Sequence, residues 1–190
     1  DPIALAGSSP PEGWHFTWGT CCRNAAITNI ASPSSQEWTL RAVMYPYNDP
    51  IVGILPATPC YDSSPIFKEQ AKTIICTGYP FAYSHNASDE ELDEITYSWA
   101  EPLGINTNYN PANPNASALA FAPSPPYSVT TPIPGNPTLD FQTGEIAYFS
   151  NTSGSFVTSV KVEAEKCGQL VAEIYREVQV QLIACPVMPN

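Results

Sequence analysis

Positive charge is scarce in this 190-residue chain: seven Lys plus Arg stand against 18 Asp plus Glu, a formal net charge of −11. Binding to a phosphate backbone needs clustered cations that displace counterions, so nucleic acid is excluded as a partner. The same imbalance argues against docking on an anionic membrane surface. No apolar run approaches the about 18 residues of a spanning helix, so no segment is expected to insert into a bilayer. Histidine is nearly absent, with only His15 and His85, and no two cysteines form a C-x-x-C pair, so zinc is not expected. A G-x-S-x-G elbow is missing and neither histidine lies in a recognisable catalytic context, which argues against an enzyme. Glu101, Asp140 and Glu145 could cleave a glycosidic bond only if the fold paired two of them, and surface carboxylates are the simpler reading.

What the chain does have points to β structure. Apolar residues make up 43% and aromatics 11%, enough for a core, while 21 prolines suit extended loops between strands. Alternation is the dominant periodicity. Trp14, Phe16 and Trp18 share a strand face, as do Trp38, Leu40, Ala42 and Met44, and then Ile95, Tyr97 and Trp99. Phe156, Thr158, Val160 and Val162 face one way, and Ile174, Val178, Val180 and Leu182 do the same after a turn at Cys167-Gly168-Gln169, which predicts a long hairpin. Residues 74–97 and 139–167, the latter with a turn at Gln142-Thr143-Gly144, read as two halves of one β-sandwich. Ser88-Asp89-Glu90-Glu91 also has the form of a helix capping box, but the β-branched and aromatic run from Ile95 to Trp99 and the stop at Pro102 favour an acidic turn leading into a strand.

Proline also punctuates the chain. Tyr45-Pro46 to Pro65 is the expected module boundary, giving an N-terminal β module over residues 1–62, complete or partial, and a β-sandwich over 63–190. Residues 101–137 hold nine prolines and read as a long ordered loop. Tyr109, Phe121 and Tyr127 in that loop offer either a stacking platform for sugar or protein, or rings that pin the loop onto the sandwich. Asp89, Glu91 and Asp93, with Glu90 and Glu94 beside them and Asp62 or Asp140 as more distant ligands, carry enough hard oxygens for Ca²⁺; a solvated acidic loop is the alternative. No other cofactor is implied. Asn86, Asn115 and Asn151 each begin an N-x-Ser/Thr sequon, which suits exposed turns.

Six cysteines, Cys21, Cys22, Cys60, Cys76, Cys167 and Cys185, form an even set spread along the chain, as in a disulfide framework of an oxidising compartment. All six are expected to pair. Neighbouring cysteines bridge each other only with distorted local geometry, so Cys21 and Cys22 are expected to take different partners. The chain opens on Asp1-Pro2 with neither Met nor a signal pattern, as a processed product or fragment would.

An ordered series of motifs adds a family resemblance. The segments CCRNAAITNI (21–30) preceded by WHFTW, SSPIF (63–67), IICTGYPFAY (74–83), ASDEELDEITYS (87–98), PYSVTTPIPG (126–135) and LDFQTGEI (139–146) resemble, in order, the gliding-motility-associated adhesin-like family. These are large secreted surface proteins of gliding bacteria with Ig-like, PKD-like or cadherin-like modules. The resemblance implies an all-β, Ig-like or cadherin-like β-sandwich, secreted to the cell surface. It also implies a non-catalytic structural or adhesive role within a larger parent or filament. The partners implied are neighbouring modules or subunits of the same structure. Alternatives are a polysaccharide-binding module using Tyr109, Phe121 and Tyr127, and a fibre subunit that polymerises by exchanging edge strands. Cys60 and Cys167 look like additions to the family pattern, which suggests that they bond to each other and leaves Cys76 and Cys185 for Cys21 and Cys22. The family's acidic turn runs Asp-x-Asp-Gly-Asp; here Leu92 stands in the glycine's place, where φ > 0 is favoured.

Overall fold

Alternating, β-branched and aromatic segments become strands in a computed structural model of the chain, which describes residues 5, 9–55, 62–104, 109–115, 117–123 and 125–186. Among these residues there is no α-helix, and the strands are β1 (Trp14–Thr20), β2 (Trp38–Met44), β3 (Tyr47–Asp49), β4 (Gly53–Leu55), β5 (Ile66–Phe67), β6 (Ile74–Cys76), β7 (Pro80–Ser84), β8 (Ala87–Ser88), β9 (Glu94–Trp99), β10 (Thr138–Leu139), β11 (Glu145–Phe149), β12 (Gly154–Lys166) and β13 (Gln169–Ile183). The fold is all-β and of sandwich type.

The long hairpin is the spine. β12 and β13 pair antiparallel from Gly154↔Leu182 to Lys166↔Gln169, and the central sheet runs β1-β2-β13-β12-β9, with β6 added in parallel at the end of β13. A second sheet, β10-β11-β7, covers one face of it. Between them lies the main core, with Tyr97, Phe156, Val160, Val162, Val178 and Leu182 from the central sheet against Ile146 and Tyr148 from β11. β2 pairs with β13 through Ala172↔Met44 and Ile174↔Ala42, so strands on both sides of the expected boundary at residue 62 share one sheet. The acidic segment is a turn leading into β9, as its residue types predict.

The opposite face of the central sheet is covered as well, by loops. Ile27 and Ile30 of the CCRNAAITNI segment and Leu119 of the Pro-rich segment pack on Val157. This two-sided cover explains why β12 is buried at every position from 155 to 160, whereas burial alternates from 161 onward. Among its described residues the Pro-rich segment supplies no strand of its own; it is tied down through isolated bridges such as Thr39↔Leu103 and Ile30↔Phe121.

Candidate functional site

Two buried polar anchors, the Arg23–Glu177 ion pair and Asn29, hold the loops on the covered side of the sheet. Arg23 is buried and forms a bidentate ion pair with Glu177 through Nη1 and Nη2; Nη2 also donates to the carbonyl of Leu103 and Nε to that of Glu37, each at 2.9 Å. Burial pushes the Glu177 carboxyl up, and Arg23 pulls it back. Arg41 pairs with Glu173 at 3.0 Å and lies over the Tyr175 ring at 4.4 Å. Asn29, fully buried, donates to the carbonyls of Pro132 and Val157 and accepts from the Val157 N–H. The resemblance motif at 21–30 is therefore, in this fold, a clamp that fastens the Pro-rich segment to the sheet.

Of the expected aromatic platform, Tyr109 and Phe121 fall on this loop-covered side, whereas Tyr127 packs on the main core between the sheets. Tyr109 is half-buried with its hydroxyl 2.5 Å from His15 Nδ1, Phe121 is half-buried beside Ile30, and the Tyr127 ring stands 5.8 Å from the core residue Phe156. The three rings point to different partners and do not form one surface. Glu101 is exposed and Asp140 caps its own turn, accepting from Gln142 N, Thr143 N and Thr143 Oγ1, which holds its carboxyl below the usual range.

The acidic turn gathers around a lysine. Lys166 Nζ lies 2.7 Å from Asp62 Oδ1 and 3.0 Å from Asp93 Oδ2, all three side chains being largely buried. Asp89 Oδ1 accepts from the N–H of Glu91 and of Asp93, and Glu91 Oε2 accepts from Ser63 N and Oγ. Burial pushes the Asp62 carboxyl up to about 6 against the pull of Lys166. Leu92, 89% exposed, adopts φ 65°, the left-handed conformation that favours glycine. Among the described residues no three His, Cys, Asp or Glu side chains are grouped to hold a metal ion. The cation at the centre of the turn is Lys166.

The disulfides differ from the expected pairing. Cys76 bonds to Cys185 and Cys21 to Cys22, so the adjacent cysteines do not take separate partners. The physical reason is proximity: β6 runs beside the end of β13, which brings Cys76 and Cys185 to a Cα separation of 5.3 Å, whereas Cys21 and Cys22 lie together just beyond the end of β1. Cys167 is exposed in the β12–β13 turn, and Cys60 lies outside the described residues.

Three apolar features remain that sequence reasoning did not single out. Buried between the sheets, His85 has neither ring nitrogen hydrogen-bonded to protein, and the Tyr148 hydroxyl is likewise unpaired. Both line an internal space of about 20 Å³, a size that accommodates a water molecule. Burial, with Arg176 nearby, pushes the His85 imidazole down to about 4. The second feature is a groove of about 380 Å³ beside the Cys76–Cys185 bridge, lined by Ile74, Tyr79, Pro80 and Phe81. The third is on the β1–β2 end of the central sheet, where its core-side face runs beyond the edge of the second sheet. There Phe16, Trp18, Leu40, Ala42, Phe67 and Ile174 line an open groove of about 330 Å³. Trp18 is 55% exposed and stands edge-on to Trp38. The alternation of β1 and β2 foretold which residues share this face; only the fold shows that, among the described residues, no side chain of the second sheet lines the groove and β5 reaches it through Phe67.

Compared with family models, with curated proteins and with solved structures, the chain finds no match in any of the three.

Proposed function

We propose that this chain is a non-catalytic, extracellular structural and adhesive module of a large bacterial surface protein or filament, working by contact. The observation that carries this reading is the open aromatic strip on β1 and β2. It is a sheet face of core-like composition, with Trp18 exposed and Phe16 and Leu40 half-buried along an open groove. Contiguous exposed apolar surface of this kind marks an interaction site, because leaving it wet costs roughly 25 cal/mol for each Å² that a partner could cover. Two further features suit a life outside the cell: a disulfide tying the end of β13 to β6, and an acidic surface poor in cations. The motif series that resembles the gliding-motility adhesins agrees with the same role.

A second reading, binding of surface polysaccharide, is favoured by one detail. Trp18 presents an exposed indole on an open face, as sugar stacking requires, so the binding residues would be Trp18 and Phe16 in place of Tyr109, Phe121 and Tyr127. The test compares the purified chain with Trp18→Ala for attachment to cells of its source organism and to a glycan array, alongside screens for hydrolysis of glycans, esters and peptides. Attachment that falls at least about tenfold in the variant supports contact as the function. Turnover lost on changing a single carboxylate or serine contradicts it.

A further inference from the structure

The hairpin β3–β4 is built as a projecting knob. Tyr47 is buried against Ala164, Val171 and Ala172, and Gln169 grips the strand by accepting from Asn48 N at 3.1 Å and donating to Asn48 O at 3.0 Å. Beyond this base the Asp49 carboxylate accepts from the N–H of both Ile51 and Val52, and Gly53 takes φ 84°, so the tip is preset. The preset tip displays aliphatic side chains to water: Ile51 is 90% exposed, Val52 68% and Ile54 74%. Ordering a hydrophobic tip in advance lowers the entropy lost when it docks.

The groove beside the Cys76–Cys185 bridge lies at the other end of the molecule. β13 starts next to the hairpin, at Gln169, and ends next to the groove, where Leu182 pairs with Ile75. Its 15 residues place the two features roughly 45–50 Å apart, at about 3.3 Å per residue. Groove residues are also exposed, Ile74 at 65% and Tyr79 at 47%.

Charge separates the two poles. Around the hairpin, Asp49, Asp62, Glu165 and the five carboxylates of residues 89–94 face a single cation, Lys166. Around the groove, residues 72–80, 149–155 and 181–186 contain one charged side chain, Lys72. Two acidic poles repel each other, whereas an acidic pole meets a nearly neutral, lysine-bearing pole without that cost.

We propose that the occupant of the groove is the β3–β4 tip of a second copy of this chain, giving a head-to-tail contact. A contact between two different patches repeats from copy to copy and yields a filament or a ring. This inference rests on the reading of the chain as a contact module and specifies how copies join.

The test uses the whole chain in sedimentation velocity over a concentration series, with Ile51→Asp as the knob variant and Tyr79→Asp as the groove variant. Both positions are exposed, and circular dichroism checks that each variant folds. The wild type is expected to form species larger than dimers, and each variant alone to weaken association at least about tenfold. An equimolar mixture of the two variants is expected to give dimers and nothing larger, since only one intact knob and one intact groove can meet. A photoreactive residue at position 52 of isotope-labelled copies should cross-link to residues 72–81 of unlabelled ones. A wild type that stays monomeric at every concentration, or cross-links that join position 52 to position 52, would overturn the proposal. If such a protein still attached to cells through Trp18, the head-to-tail mode alone would fall.

Discussion

Single side chains carry much of this fold, and their environments set measurable costs. His85 illustrates the pH logic. Its folded-state value of about 4 lies below the 6.5 of an unfolded histidine, so between these values the unfolded chain binds a proton that the folded chain does not. Stability contributed by keeping His85 neutral is therefore complete above about pH 6.5 and is lost as pH falls toward 4, on the order of 3 kcal/mol across the window. Asp62, pushed up to about 6, acts in the opposite sense, adding stability as pH falls from about 6 toward its unfolded value. His85→Phe should accordingly make the protein gain stability relative to wild type at pH 4.5 compared with pH 7.5, read from denaturant midpoints; an unchanged difference would mean that His85 titrates normally. Lys166 occupies the centre of the acidic turn, so the melting temperature should be indifferent to millimolar calcium and to chelator, and a rise with calcium would show that the ion displaces the lysine. Leu92 tells a related story. A leucine at φ 65° with its side chain in solvent gains nothing from packing, and Leu92→Gly should stabilise the fold by about 0.5–1 kcal/mol. Loss of stability in that variant would mean that the leucine is held by a partner.

Elements show where reading the sequence succeeded and where it could not reach. The alternation of Trp14–Trp18, Trp38–Met44, Ile95–Trp99 and the 156–182 hairpin was legible, because a period of two is imposed on any strand with one buried face. The turn at 89–93 was legible from residue types. Pairing of the cysteines was not: whether Cys76 meets Cys185 depends on β6 lying parallel to the last residues of β13, a contact between segments 109 positions apart that no local pattern announces. The fate of Tyr109, Phe121 and Tyr127 was equally hidden, since an aromatic in a Pro-rich segment has the same local sequence whether it faces solvent or a sheet. The clamp residues Arg23 and Asn29 were visible only as part of a motif; their role comes from Glu177 and Val157, more than 120 positions away. Two stability predictions belong here. Removing the Cys76–Cys185 bridge with paired serines should cost about 2–5 kcal/mol, because it releases a long loop in the unfolded chain. Asn29→Ala strands buried backbone groups of Pro132 and Val157 and should cost about 2–4 kcal/mol, seen as a lower denaturant midpoint. A change under 0.5 kcal/mol would mean that the Pro-rich segment is held elsewhere.

At the scale of the whole molecule, the central sheet has a covered half and an open half. Loops clamped by buried ion pairs cover part of one face of the hairpin, and among the described residues the second sheet packs on the other face over β12, the second half of β13 and β9. What remains open is the aromatic strip of β1 and β2, and the poles carry a knob and a groove. Contact surfaces on a scaffold fastened by a disulfide and ion pairs are what a surface module needs, and the proposed function follows from their placement. The most direct measurement is hydroxyl-radical footprinting of the purified chain bound to cells of its source organism, set against the same chain in dilute solution. If the strip is the working face, Trp18 and Phe16 will be oxidised at least about fivefold more slowly on the cell than in solution, while an exposed residue away from the three apolar features, such as Phe141, will react equally in both. Equal reactivity of Trp18 in the two states would contradict the account.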